Sequence, residues 1–269
     1  MKCAPFDYVR AASVDEAVTT LAQADGDGKI LAGGQSLVPV LALRMARPSV
    51  LVDVNRIPGL AGVTPDGDTV RVGALTRHSA LVQQTHHPLL ADAARWIGHT
   101  AIRARGTAGG SIAHADPSAE LPVVAVGTGA TVTVAGPAGT RQVAAEDLFV
   151  GALMTDLAED EMLTEVRFPL PTRWGFAEFA RRHGDFALVM AVVAEIGGGI
   201  RIALGGIGAV PVRAEAGERV LADGGSLREA AAAAAEQLTP TADLHGSADF
   251  RRAIAAEMIR RALTRAGLS

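Results

Sequence analysis

Two glycine-paired turns in separate segments hold the residues best suited to chemistry, Gly33-Gly34-Gln35-Ser36 and Gly109-Gly110-Ser111. Paired glycines let backbone N–H groups approach a ligand closely and tolerate positive φ, and the hydroxyl that follows adds a donor. Such a turn holds a phosphate without net positive charge. A helix over Leu37 to Met45, behind the first turn, would turn its N-terminus toward a pyrophosphate. One turn of this kind is more often a plain tight connection, a reading that a second such turn in the chain weakens without displacing. Neither is followed by the Gly-Lys-Ser/Thr of a Walker A loop, and neither completes the Gly-x-Gly-x-x-Gly of a Rossmann turn. Ordinary ATP and NAD sites are disfavoured.

Other reactive side chains form weaker constellations. His114 and Asp116 could make an acid/base or metal pair, but no third ligand accompanies them. An Asp before Pro117 serves local hydrogen bonding more often. His86 and His87 precede Pro88, where solvated capping at a helix end is expected. The pair Arg181-Arg182 suits a nicotinamide nucleotide or a partner protein, and equally a solvated strand flank. No Gly-x-Ser-x-Gly elbow supports a hydrolase. Cys3, the single cysteine, has no basic neighbourhood beyond Lys2 to make it a reactive thiolate.

The elements that must position the two turns can be read from periodicity and punctuation. Ser13-Val-Asp-Glu16 is a capping-box pattern ahead of apolar Val14, Ala17, Val18 and Leu21, which predicts a helix. Lys29-Ile-Leu31 reads as a strand entering the first turn, and Val50 to Val54 as a buried β-branched strand that stops at Asn55 to Gly59. Strands are expected at Thr69–Val72, Thr131–Val134 and Met162–Phe168, with helices across about 78 to 98 and an apolar run from Leu121 to Val126. Pro169-Leu-Pro171 marks a break. Beyond it, Ala187–Ile196 and Ile200–Ile207 flank a hairpin turn at Gly197-Gly198-Gly199. Ser226-Leu-Arg-Glu229 opens an alanine-rich helix, and Ala248 to Ala266 reads as a helix with Arg on its polar face. The class is mixed α+β, with breaks near Arg56 and Pro171.

Composition excludes several functions. The 269 residues, 49% apolar and 20% charged, can bury a sizeable core, with two packed lobes as the default expectation. A net charge of −4 gives no basic surface for nucleic acid, and ten aromatics provide no stacking platform. One cysteine cannot build a disulfide framework, a Cys-rich zinc site or a cysteine-held iron–sulfur cluster within this chain. No apolar run approaches the roughly 18 residues of a membrane span, and no signal-peptide pattern opens the chain. A complete, cytoplasmic chain is expected.

Ile30-Leu-Ala-Gly-Gly-Gln-Ser-Leu-Val-Pro39 followed by Arg44-Met-Ala-Arg-Pro48, and Ile102-Arg-Ala-Arg-Gly-Thr-Ala-Gly-Gly-Ser-Ile-Ala-His-Ala-Asp-Pro117, resemble the two flavin loops of the FAD subunit of molybdenum hydroxylases. The resemblance is to the medium subunits of aerobic carbon monoxide dehydrogenase and its homologues, with the FAD domain of xanthine dehydrogenase more distant. It continues through Gly184-Asp-Phe-Ala-Leu188 and Asp243-Leu-His-Gly-Ser-Ala248 of a C-terminal domain. It implies that Ile30, Leu31, Ala32, Gly33, Gly34, Gln35, Ser36 and Leu37 wrap the FAD pyrophosphate, and that Thr107, Ala108, Gly109, Gly110 and Ser111 form a second cradle. Ile97 and Leu163 would touch the flavin or adenine rings. Glu120 would bind an FAD hydroxyl from a position that is often Asp. A flavin-contacting lysine found ahead of the Arg-Arg pair in xanthine dehydrogenase has no counterpart in Phe176 to Arg182.

The fold implied is a vanillyl-alcohol-oxidase (PCMH)-type FAD-binding domain of two subdomains, 1–56 and 57–171, plus a C-terminal domain, 172–269, with an antiparallel sheet and helices. The function implied is electron outlet, with no catalytic side chain and no metal on this chain. A large subunit with a molybdenum cofactor oxidises a substrate, and two [2Fe–2S] clusters on a small subunit pass electrons to this FAD and on to a final acceptor. Such a hetero-oligomer can be a dimer of heterotrimers. A stand-alone FAD oxidase would need a substrate-facing acid or base, and a module that had lost its flavin would tolerate damage at the glycine turns. Gly33→Val or Gly110→Val is expected to abolish FAD retention.

Overall fold

The computed structural model describes residues 2–268. The chain opens with β1 (Asp7–Arg10), α1 (Val14–Gln23), β2 (Gly28–Leu31), α2 (Leu37–Ala42) and β3 (Val50–Asp53). The three strands form a parallel sheet in the order β1-β3-β2. Ser13 caps α1 by accepting from Glu16 N–H at 3.1 Å, while the Glu16 carboxylate reaches one residue further back than a capping box, to Ala12 N–H at 2.7 Å. Leu31 stands opposite Asp53, so β2 and β3 end together and present their C-terminal ends at one edge, the usual place for a ligand beside parallel strands.

The middle of the chain carries β4 (Val63–Asp66), β5 (Thr69–Gly73), α3 (His78–Gln83), α4 (Pro88–Ala94), α5 (Thr100–Arg103), α6 (Ala108–His114), α7 (Glu120–Thr128), β6 (Thr131–Gly136), β7 (Gly139–Ala144), α8 (Ala145–Leu148), β8 (Phe149–Gly151), β9 (Met154–Thr155) and β10 (Met162–Pro169). Five of these strands pair antiparallel in the order β4-β5-β10-β6-β7, and β8 pairs with β9. All nine residues of α7 are buried, as its unbroken apolar run requires. The helix packs between α4 and the next sheet, and Gly127 lies so close to that sheet that a Cβ would come within 2.6 Å of Val192.

The remainder comprises β11 (Trp174–Phe179), β12 (Val189–Ile196), β13 (Gly199–Gly205), β14 (Val212–Arg213), α9 (Glu215–Ala222), α10 (Leu227–Glu236) and α11 (Ala248–Arg265), with the strands antiparallel in that order. Gly197 and Gly198 both have positive φ, 58° and 81°, as a tight I′-type hairpin turn demands, and the sequence signal there is met. Ser226 and Glu229 complete the capping box of α10. Three apolar clusters result, one under each of the three larger sheets, and the first takes in Leu60, Leu75 and Met162 from the middle of the chain.

Several local expectations are corrected. The helix behind the first glycine turn has six residues and stops at Ala42, because Arg44 takes φ 59°. The second glycine pair lies inside α6 rather than in an open turn. His87 caps the start of α4 but is fully buried rather than solvated. Its Nδ1 accepts from Leu90 N–H at 3.2 Å and its Nε2 donates to Pro169 O at 3.1 Å. Arg251 does not join the polar face of α11. It is buried, donating to Leu188 O at 2.6 Å and Gly206 O at 2.7 Å and pairing with Asp243 at 2.7 Å.

Candidate functional site

A cavity of about 850 Å³ opens where the C-terminal ends of β2 and β3 face α6, and the segment Gly184 to Phe186 closes one side of it. That volume is in the usual range of ligand and cofactor sites. Fourteen of the sixteen residues singled out from the sequence line it: Ile30, Ala32 to Leu37, Ile97, Thr107, Gly109, Gly110, Ser111, Glu120 and Leu163. Leu31 and Ala108 stand behind the wall, and Ala108 is fully buried.

The two glycine segments differ physically. Among the described residues, no intrachain partner meets the backbone N–H groups from Gly33 through Leu37. Five successive free donors along a cavity wall are what an anion-binding nest requires, and the amides themselves, more than the short α2, would supply its field. Ser36 makes no capping bond to α2, so its hydroxyl is free as well. Gln35 folds back to donate to Gly33 O at 3.1 Å. On the opposite wall the amides are already used. Ala108 N–H donates to Thr76 O and Gly109 N–H to Ala74 O, both at 2.8 Å. Gly110 N–H goes to the Thr107 hydroxyl at 3.2 Å, and Ser111 N–H to Thr107 O at 3.0 Å. This wall offers close approach and the Ser111 hydroxyl, not a second amide nest.

The glycines follow the same division. Gly34 needs its positive φ of 71°. Gly33 has ordinary φ, but a Cβ there would sit 2.5 Å from Arg105 O, and one at Gly109 would sit 2.6 Å from Ala74 Cβ. These two glycines permit chain to pack on chain, so the expected blockade at Gly33 acts through the neighbouring loop.

A polar network joins the walls. Asn55 donates to Ala32 O at 2.8 Å and to Leu31 O at 3.2 Å, which fixes the exit of β2. Arg77 donates to Asn55 Oδ1 at 2.7 Å and also to Arg105 O, tying the first wall to the loop before α6. Asp53 accepts from Tyr8 and from Asn55, and these bonds hold its carboxyl below the ordinary range despite partial burial, which acts the other way.

His78 and Glu120 are the buried titratable groups of the wall. His78 Nε2 donates to Thr107 O at 3.0 Å, while Nδ1 is buried without a partner. Burial pushes its pKa down to about 4, so the ring is neutral at physiological pH. Glu120, the first residue of α7, is pushed up to about 8, by burial first and then by the charge of Asp116. Sequence reasoning did not select His78, nor the cavity-lining His99, Met154 or Glu159. Their types and spacing carry no motif. The bridge pairing of Arg77 with Thr107 and the bond from His78 N–H to Gly106 O at 3.0 Å bring His78 to the wall. Asp116 Oδ1 accepts from Ser118 N–H at 2.8 Å, the local role expected before Pro117. Among the described residues no cluster of three or more His, Cys, Asp or Glu is arranged for a metal.

Residues 4–171 match the family model described as the FAD binding domain in molybdopterin dehydrogenase, and residues 174–266 match the CO dehydrogenase flavoprotein C-terminal domain. The chain is 42% identical to the 6-hydroxypseudooxynicotine dehydrogenase complex subunit alpha of Paenarthrobacter nicotinovorans, across 99% of this chain and 96% of that one. It is 40% identical to the carbon monoxide dehydrogenase medium chain of Hydrogenophaga pseudoflava, across 97% and 96%. It also superposes on a chain of the crystal structure of quinoline 2-oxidoreductase from Pseudomonas putida 86 with a TM-score of 0.93 and 38% identity, covering 99% of this chain and 98% of that one. The free amides, the facing glycine wall and these likenesses agree, and the chain belongs to the family of FAD-binding molybdopterin dehydrogenase flavoproteins.

Proposed function

We propose that this chain is the FAD-carrying electron-transfer subunit of a molybdenum-cofactor hydroxylase or dehydrogenase, taking electrons from [2Fe–2S] clusters on a small partner subunit and passing them to a final acceptor. The molybdenum cofactor and the substrate site belong to a large partner subunit. The observation that carries this reading is the run of five free amides, Gly33 to Leu37, along one wall of an 850 Å³ cavity. A pyrophosphate is the part of FAD that such a nest holds without a cation. The residues present fit the group. Ile97 and Leu163, which belong to one apolar cluster, offer ring contacts, while Ser36, Ser111 and Glu120 offer polar contacts to hydroxyls and phosphates. When bound, FAD supplies the redox chemistry through its isoalloxazine ring, and the protein supplies binding, orientation and electrostatics. No side chain of this chain is assigned a catalytic role.

The finer architecture is a vanillyl-alcohol-oxidase (PCMH)-type arrangement of subdomains 1–56 and 57–171 followed by a C-terminal domain 172–269. The junction between the two family models, after residue 171, supports the last of these divisions. The names of the relatives, a subunit alpha of a complex and a medium chain, support a hetero-oligomer over a stand-alone oxidase. The proposed assembly is a hetero-oligomer with the small iron–sulfur and large molybdenum subunits, of which a dimer of heterotrimers is one form, in the cytoplasm. No described helix is long and apolar enough to cross a membrane.

The test is the visible spectrum of the purified full chain, followed by denaturation and identification of the released flavin. Stoichiometric FAD without iron–sulfur bands is expected. A folded chain that remains colourless after FAD is added overturns the flavin assignment. Affinity capture of the chain from its native cells is expected to bring molybdenum and [2Fe–2S] absorbance with it, and capture of the chain alone overturns the partner assignment.

A further inference from the structure

The loop from Asp156 to Glu161 carries the chain from β9 to β10, and its Leu157, Ala158, Glu159 and Glu161 line the cavity. It also reaches the first sheet, because a Cβ on Gly26, in the turn before β2, would collide with the Glu159 carboxylate. The main chain of the loop does little to fix this course. Asp156 N–H donates to Leu148 O at 2.8 Å, and Glu161 N–H closes a single turn onto Ala158 O at 3.1 Å. The remaining bonds come from a guanidinium outside the cavity. Arg141 of β7 donates from Nε to Glu161 Oε1 and from Nη2 to Glu161 Oε2, both at 2.7 Å. The same group reaches the other end of the loop, at Asp156 Oδ2 (2.8 Å) and Asp156 O (2.7 Å). Glu161 Oε2 accepts from Ala158 N–H at 2.8 Å as well, so one carboxylate joins the turn to the guanidinium.

We propose that Arg141 is a positioning residue for the flavin dinucleotide: its planar fork binds both ends of the 156–161 loop and holds Leu157, Ala158 and Glu159 at the spacing the cofactor requires. The proposal rests on the flavin reading above and adds to it a residue that does not line the cavity. The fold places Arg141 for this task. β7 is an edge strand, and Arg141 stands opposite Val134 of β6, which stands opposite Leu163 of β10, so the guanidinium shares a row of the sheet with a cavity-lining residue. At the end of β6, a Cβ on Gly136 would come within 2.9 Å of Glu161 Cγ, so the acid is packed from the strand side too. Among the described residues no other cation pairs with Asp156 or Glu161. Exposed ion pairs contribute little as a rule, but the Glu161 side chain is only 13% exposed and its contact is bidentate. Arg141 accordingly holds the Glu161 carboxyl below the ordinary range. A lysine ammonium is a single point charge and cannot span a carboxylate, a second acid and a carbonyl in this geometry.

The experiment titrates the full chain, stripped of flavin, with FAD, following flavin fluorescence, for wild type, Arg141→Met, Arg141→Lys, Glu161→Leu and the double variant Arg141→Met/Glu161→Leu. Amide hydrogen exchange is followed on the same flavin-free proteins. Arg141→Met keeps the apolar stem and is expected to weaken FAD binding about tenfold, with faster exchange at 156–161 and unchanged exchange at Gly33–Leu37. Arg141→Lys keeps the charge without the fork and should still bind about fivefold more weakly than wild type. Glu161→Leu should also cost about tenfold, and the double variant should stay within about twofold of the weaker single variant, because both changes remove one shared contact. Wild-type affinity in Arg141→Met or Arg141→Lys, exchange that quickens throughout the chain, or losses that multiply to about a hundredfold in the double variant overturns the proposal. Should Arg141→Met fail to fold, the affinity and exchange of Arg141→Lys decide alone. Wild type that binds no FAD overturns the flavin reading itself and this proposal with it, a result distinct from failure at Arg141, where wild type binds FAD and the variants bind it equally well.

Discussion

Gly33 and Gly34 are glycines for different reasons, and their substitutions should differ. Gly34 holds a φ of 71°, so an alanine there is strained but meets only the ends of Val38 and Leu31, at 3.1 and 3.3 Å. Gly33 has no backbone strain, yet a methyl group would press on Arg105 O at 2.5 Å and Gly106 Cα at 2.8 Å, main-chain atoms that cannot rotate away. Gly33→Ala should therefore spread the two walls, costing about 1–3 kcal/mol of stability and about tenfold or more in FAD affinity. Gly34→Ala should cost about 1 kcal/mol and leave the wall spacing intact. Thermal melts with parallel FAD titrations check both, and a Gly33→Ala chain that binds FAD as wild type would show that the neighbouring loop yields freely. At this scale the sequence revealed which residues gather at the cavity but not what each does there. Gly-Gly-x-Ser looks alike wherever it occurs, whereas the free amides of Gly33 to Leu37 and the engaged amides of Ala108 to Ser111 are set by Thr76, Ala74 and Thr107, partners that no local pattern reveals.

At the scale of elements, the cavity depends on bonds that bridge its walls. Arg77 precedes α3 and joins Asn55, at the end of β3, to Arg105, in the loop before α6. Arg77→Met keeps the apolar stem and removes both bonds, leaving Asn55 Oδ1 and Arg105 O without that donor. The expected result is about a tenfold loss of FAD affinity, about 1.4 kcal/mol, with faster amide hydrogen exchange at Gly33–Leu37 and at Arg105–Ser111 and little change in the rest of the chain. Unchanged exchange at both segments would mean that the walls hold their spacing without Arg77. Elements with strong local signals were legible: the capped α1 and α10, the β12–β13 hairpin and the β-branched strands. Those decided by tertiary packing were not. Two glycines each cost about 1 kcal/mol in a helix, so Ala108–His114 reads as a loop. It folds as α6 because Gly109 must pass against Ala74 and Thr107 caps the first turn. Likewise Leu37 to Met45 reads as a longer helix than the six residues that form, because nothing local announces the left-handed Arg44.

For the molecule as a whole, the buried titratable groups act on stability in opposite directions as pH changes. His78 is pushed from 6.5 in the unfolded chain to about 4 in the folded one, and burial lowers His87 as well. Their contribution is complete above about pH 6.5 and is lost as the pH falls toward the folded value, about 3 kcal/mol for His78 alone. Glu120 and Glu178 start from 4.5 in the unfolded chain and are raised to about 8 and about 9. Their contribution is complete below about pH 4.5 and is lost as the pH rises through those folded values. Between about pH 4.5 and 6.5 the two effects oppose each other, so stability there should change little. Above about pH 6.5 the histidines add nothing further, and each carboxyl ionised only in the unfolded chain removes about 1.4 kcal/mol per pH unit. Urea unfolding of the flavin-free chain should accordingly show a plateau on the acid side of neutrality and a decline toward pH 9. Glu178→Gln removes one of the two titrations and should shallow that decline by about half. A wild-type chain whose stability holds or rises from pH 6.5 to 9 would mean that Glu120 and Glu178 are ionised in the folded protein despite their burial.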